Sequence, residues 1–114
     1  MKAYAVNTHQ GISRKYNEDR VSIILNISKS GVKASYFAVY DGHGGSTCCD
    51  FLSEHLHQFI LNSKKFPSNP RQALIEGIKL VEKKFIENTK KKFQLKKELD
   101  RSGSCVLISL IVGN

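Results

Sequence analysis

The sequence predicts an α+β fold, and three observations carry that prediction. Two β-prone runs, residues 21–27 and 33–40, flank the turn Ser28-Lys29-Ser30-Gly31. Two stretches with apolar residues at helical spacing follow them. A last apolar run of strand length, residues 105–112, comes at the end.

Composition sets the bounds. A chain of 114 residues with 40% hydrophobic and 25% charged content has room for one small globular domain. The net charge of +8 is concentrated between Lys64 and Arg101, and the first half is nearly neutral. The lysines at 83–84, 90–92 and 96–97 read as a solvated helix face and connector. Attraction for phosphorylated or acidic partners is their functional alternative. Without interleaved aromatics, specific nucleic-acid binding is not expected. Three cysteines without zinc spacing predict reduced thiols and a cytoplasmic, or nuclear, location. Cys48 and Cys49 read as helix packing residues. The opening residues lack the apolar core of a signal peptide, no run reaches membrane-spanning length, and a monomer is expected.

Each element can be justified in order. Residues 3–6 are predicted as a short strand before a turn at 7–11. The runs at 21–27 and 33–40 should pair as a hairpin, which sets Glu18 and Asp19 beside Asp41 at one edge of the sheet. Residues 46–62 are the first helix, with Ser46 or Thr47 as cap and Phe51, Leu52, Leu56, Phe59 and Ile60 as its apolar face. Asn69 caps the second helix and Pro70 opens it. Leu74, Ile78, Val81 and Phe85 form its stripe, and fraying is expected among residues 88–92. The strand at 105–112 is nearly all apolar and is expected to be buried on both faces. Gly113-Asn114 then reads as a hairpin turn toward a further strand, so residues 1–114 are read as the N-terminal portion of a longer domain.

The candidate site is Asp41-Gly42-His43-Gly44-Gly45, where a β run ends in a carboxylate and a glycine turn before a helix. Such a turn can cradle phosphate on backbone amides, but Asp41 would oppose it by charge and no P-loop lysine follows. A hard divalent ion between carboxylates and phosphate oxygens removes that conflict. His43 is then placed to protonate a leaving oxygen, and Arg14 to fork onto a phosphate. The plain structural alternative is a tight turn with Asp41 capping the helix. His9, His55 and His57 read as solvated or packed.

These residues carry a resemblance. Thr8-His9-Gln10-Gly11, Arg14-Lys15-Tyr16-Asn17-Glu18-Asp19-Arg20, Phe37-Ala38-Val39-Tyr40-Asp41-Gly42-His43-Gly44-Gly45 and Ser102-Gly103-Ser104 resemble, in order, the opening motifs of the metal-dependent (PPM-type) serine/threonine protein phosphatases of type 2C. The resemblance implies part of a four-layer α/β/β/α sandwich with antiparallel sheets and a pair of Mg²⁺ or Mn²⁺ ions. It implies Asp41 as a bridging metal ligand, Gly42 as a ligand through its carbonyl, Glu18 as a ligand and Asp19 as a support through bound water. It implies Arg14 as the phosphate-binding residue and His43 as general acid. It also implies attack by a metal-bound hydroxide on phosphoserine or phosphothreonine proteins, without a phospho-enzyme. The family's later aspartate-bearing motifs do not occur in this chain, and Cys105 stands where the family usually has threonine. The expectation is therefore an incomplete catalytic domain, with a non-catalytic binding or regulatory fragment as the alternative.

Overall fold

The computed structural model describes residues 3–13 and 16–113. Strand β1 (Asp19–Lys29) turns back into β2 (Val32–His43) through Ser30 and Gly31. Both turn residues have positive φ, 54° and 77°, as a type I′ turn requires, and its twist matches that of the flanking strands. Helix α1 (Thr47–Leu61), helix α2 (Pro70–Lys96) and strand β3 (Gly103–Val112) follow. The sheet is antiparallel throughout, in the order β1-β2-β3, with the two helices on one side. This is the predicted α+β arrangement.

The β1–β2 register places Lys29 opposite Val32 next to the turn and Asp19 opposite Asp41 at the far end. Between Ile24 and Ile27 the ladder carries an irregularity with one extra residue on β1. Asn26 sits there at φ 58°, a left-handed conformation that asparagine adopts more readily than most residues.

Alternation along β2 decides where the core lies. Ala34, Tyr36, Ala38 and Tyr40 are buried toward the helices, where they meet Leu52, Leu56 and Ile60 of α1. The two tyrosine hydroxyls are satisfied within this core. Tyr36 and Tyr40 share a hydrogen bond of 3.0 Å, Tyr40 donates to Ser22, and Ser22 donates to the Ser53 carbonyl of α1. Lys29, at the end of β1, donates to the Leu61 and Ser63 carbonyls, which neutralises the C-terminal end of α1 with a cation. The helices leave no room for a side chain at Gly77, where an added Cβ would stand 2.6 Å from Ile60 Cγ1.

Four expectations are corrected. Residues 3–6 form no strand; they lie across the outer face of the sheet, with Tyr4 edge-on to Phe37. Ser46 occupies the N-cap position of α1 without making a side-chain cap. Helix α2 does not fray at 88–92 but runs to Lys96, because lysine, glutamine and leucine favour helix and no glycine or proline interrupts them. It ends at Lys97 in a left-handed conformation, whose N–H donates to the Phe93 carbonyl. Strand β3 is buried on one face only. Val106, Ile108, Leu110 and Val112 face the helix layer, whereas Leu107 is 75% exposed on the outer face.

Candidate metal and phosphate site

The pairing of Asp19 with Asp41 does what the hairpin predicted, bringing the acids of two separate motifs to one sheet edge. Glu18, Asp19, Asp41 and Gly42 line one polar cleft of about 400 Å³ together with His9, Gln10, Tyr16 and Asn17. Glu18, Asp19, Asp41 and Gly42 offer carboxylate and carbonyl oxygens there, the type that Mg²⁺ and Mn²⁺ take. Among the described residues, no three His, Cys, Asp or Glu side chains converge tightly enough to form a ready-made ion cage. The donor set fits a hard divalent ion in kind, with fewer ligands than a closed site has. Arg14, predicted to bind phosphate, lies outside the described residues.

Local structure explains why Glu18 and Asp19 hold their places. The Asn17 side chain accepts from the Asp19 N–H at 3.0 Å, an Asx turn, and donates to the Thr8 hydroxyl at 3.0 Å. Arg20 Nη1 donates to the Asn17 and Asp19 carbonyls, while its Nε pairs with Asp50 in the first turn of α1 at 2.7 Å. Asp50 adds a favourable charge at that helix start. The arginine thus ties the acid-bearing entry of β1 to α1.

His43 is not among the residues that line the acid cleft. Strand β2 outruns β1 by two residues, so past Asp41 its neighbour is β3 alone, and His43 pairs with Gly103. The imidazole lies over that glycine so closely that a Cβ there would come within 2.6 Å of Nε2. It lines a second cavity, between β3 and the helices, with Ser102 and Ser104.

The sequence profile of protein phosphatase 2C matches residues 3–114. The chain belongs to the protein phosphatase 2C family. It is 27% identical to protein phosphatase 1E of Mus musculus over 115 residues, which cover 96% of this chain and 14% of that protein. It is 28% identical to protein phosphatase 1F of Mus musculus over 110 residues, 92% of this chain and 24% of that protein. Its identity to the probable protein phosphatase 2C 42 of Oryza sativa subsp. japonica reaches 40%, over 72 residues that make up 63% of this chain and 20% of that protein. The chain therefore spans no more than about a quarter of the length of these relatives.

Three contributors to this phosphatase-like corner were not found from sequence. Cys49, read only as a packing residue, is fully buried, and its thiol also donates to the Glu18 carbonyl at 2.8 Å. Ser102 accepts from the Cys48 N–H at 3.0 Å and so caps α1 from 54 residues away. Asp100 in turn accepts from the Ser102 hydroxyl at 2.6 Å and from its N–H at 2.9 Å. Burial pushes the Asp100 carboxyl upward, but the bonds from Ser102, the charge of Lys92 and the Thr47 hydroxyl outweigh it and hold the group below its ordinary 3.8. No local spacing signals these contacts, since each joins segments far apart in the chain.

Proposed function

We propose that this chain is the N-terminal portion of a PPM-type catalytic domain that hydrolyses phosphoserine and phosphothreonine in proteins with the help of Mg²⁺ or Mn²⁺. The observation that carries the reading is the Asp19–Asp41 pairing, which gathers Glu18, Asp19, Asp41 and Gly42 at one cleft in a chain of this family. Glu18, Asp41 and the Gly42 carbonyl would hold the ions, and Asp19 would orient water around them. When bound, the ions neutralise phosphate charge and acidify a water molecule. Arg14 binds and orients the substrate phosphate as a bidentate donor. The attacking water oxygen forms a bond to phosphorus as the bond from phosphorus to the serine or threonine oxygen breaks. His43, in its protonated form, delivers a proton to that leaving oxygen, so the products are inorganic phosphate and a free hydroxyl. The open outer face of the sheet, with Leu107 75% exposed, supports the expectation of further domain beyond these elements.

The test is Mn²⁺-dependent hydrolysis of a phosphothreonine peptide and of a small aryl phosphate, with Asp41→Asn beside the parent chain and circular dichroism on both. Turnover that requires Mn²⁺ and falls by at least about 10²-fold in the variant is the expected outcome for a complete site. A second reading is favoured by the position of His43 outside the cleft and by the small number of carboxylates. In that reading the chain is a non-catalytic, phosphatase-like binding fragment. A folded parent chain that binds phosphopeptide but turns over nothing would select it.

A further inference from the structure

We propose that Cys49 is a positioning residue for the acid cleft, its thiol fixing the main chain between Glu18 and Asp19 against Gly42. The inference rests on the metal-site reading above and adds to it a residue outside the cleft lining.

The observation is a convergence of three segments on one sulfur atom. The thiol donates to the Glu18 carbonyl at 2.8 Å, and a Cβ built on Gly42 would stand 2.9 Å from the same Sγ. That Cβ would also collide with the Glu18 carbonyl oxygen, so β1 entry, β2 exit and α1 meet with no room for a further atom. Cys49 has no exposed surface. The carbonyl of Ser46, the N-cap residue of α1, is a second acceptor 3.2 Å away.

The target of that bond gives it leverage. The carbonyl of Glu18 and the N–H of Asp19 belong to one peptide unit. Cys49 holds its oxygen, and Asn17 Oδ1 holds its N–H at 3.0 Å. With both ends pinned, the plane of that peptide is set, and with it the directions in which the Glu18 and Asp19 side chains leave the backbone. Partners behind the ligands commonly tune metal affinity in this way. A residue there with no donor keeps the helix but releases one end of the peptide.

The experiment measures the Mn²⁺ dissociation constant of the 114-residue chain by titration calorimetry and by electron paramagnetic resonance, for the parent, Cys49→Ala, Cys49→Val, Cys49→Ser and Asp41→Asn, with circular dichroism on each. Alanine and valine are expected to weaken Mn²⁺ binding by about tenfold while helix content is kept, and serine, which retains a donor, to recover most of the loss. Should Cys49→Ala fail to fold, the contrast between serine and valine decides, because valine fills the space without donating. Parent-like Mn²⁺ affinity in alanine or valine, with affinity lost in Asp41→Asn, overturns the role of Cys49 and leaves the metal site standing. A parent chain that binds no Mn²⁺ overturns both.

Discussion

At the scale of single residues, the cluster of Asp100, Ser102 and Cys48 N–H makes the sharpest prediction. Ser102→Ala removes the α1 cap and should cost about 1 kcal/mol, read from a urea unfolding curve. The same cluster gives a signed pH dependence. Asp100 has its folded pKa below its ordinary 3.8, so its contribution is present above that value and is lost as pH falls through the folded pKa. Thermal unfolding temperature should therefore drop on acidification below about pH 4, and the drop should be smaller in Ser102→Ala, which has less of this stabilisation to lose. The acids of the cleft were legible in the sequence because a hairpin alone brings Asp19 to Asp41. The cap was not, because a serine 54 residues downstream cannot be told from any other loop serine before the chain is folded. The pairing of His43 with Gly103 was not legible for a related reason. The histidine's neighbour is set by where β1 begins, and the boundary of a strand is its least legible feature.

At the scale of elements, the contact between the helices is set by Gly77. Elsewhere in a helix, replacing glycine by alanine adds stability of up to about 1 kcal/mol. Here the new methyl would stand 2.6 Å from Ile60 Cγ1 and 3.1 Å from the Ile60 backbone, which cannot yield as a side-chain tip can. Gly77→Ala should therefore destabilise the chain by about 1–3 kcal/mol, because overpacking outweighs propensity. Chemical denaturation followed at 222 nm would show the sign directly. Both helices were legible from their apolar stripes, and Asn69 caps α2 as expected, accepting from the Gln72 N–H. The length of α2 was not legible. Beyond Phe85 its residues are exposed or half-exposed, so the apolar period fades while backbone propensity continues the helix. The burial of β3 departs from expectation in the opposite way. An all-apolar strand states that both faces avoid water, but not which elements cover them.

At the scale of the molecule, one side of the sheet is a helix-covered core and the other is an apolar surface crossed, among the described residues, by those near Tyr4. Leu107, Val39 and Ile111 are exposed there. The native chain is expected to enhance the fluorescence of an apolar dye such as ANS. Leu107→Lys should reduce that signal while changing the unfolding free energy by no more than about 0.5 kcal/mol, since the leucine has little burial to lose. The charge of +8 is confined mainly to the opposite, helical side, as the exposed lysines of α2 indicate, so solubility and apolar exposure belong to different faces. The extra residue at Asn26 also reaches across the molecule. Counted from the Ser30-Gly31 turn without it, the ladder would set Arg20 opposite Asp41 and turn Glu18 and Asp19 to the other face. The irregularity thus separates two alignments of one hairpin: the observed, open-handed one offers acids to a cation, and in the clenched one that would form without it an arginine would fill that place. The choice between them rests on a single left-handed asparagine roughly 24 Å from Asp19 along the strand. Selection on the phosphatase-like corner would then act on a position that does not line the acid cleft.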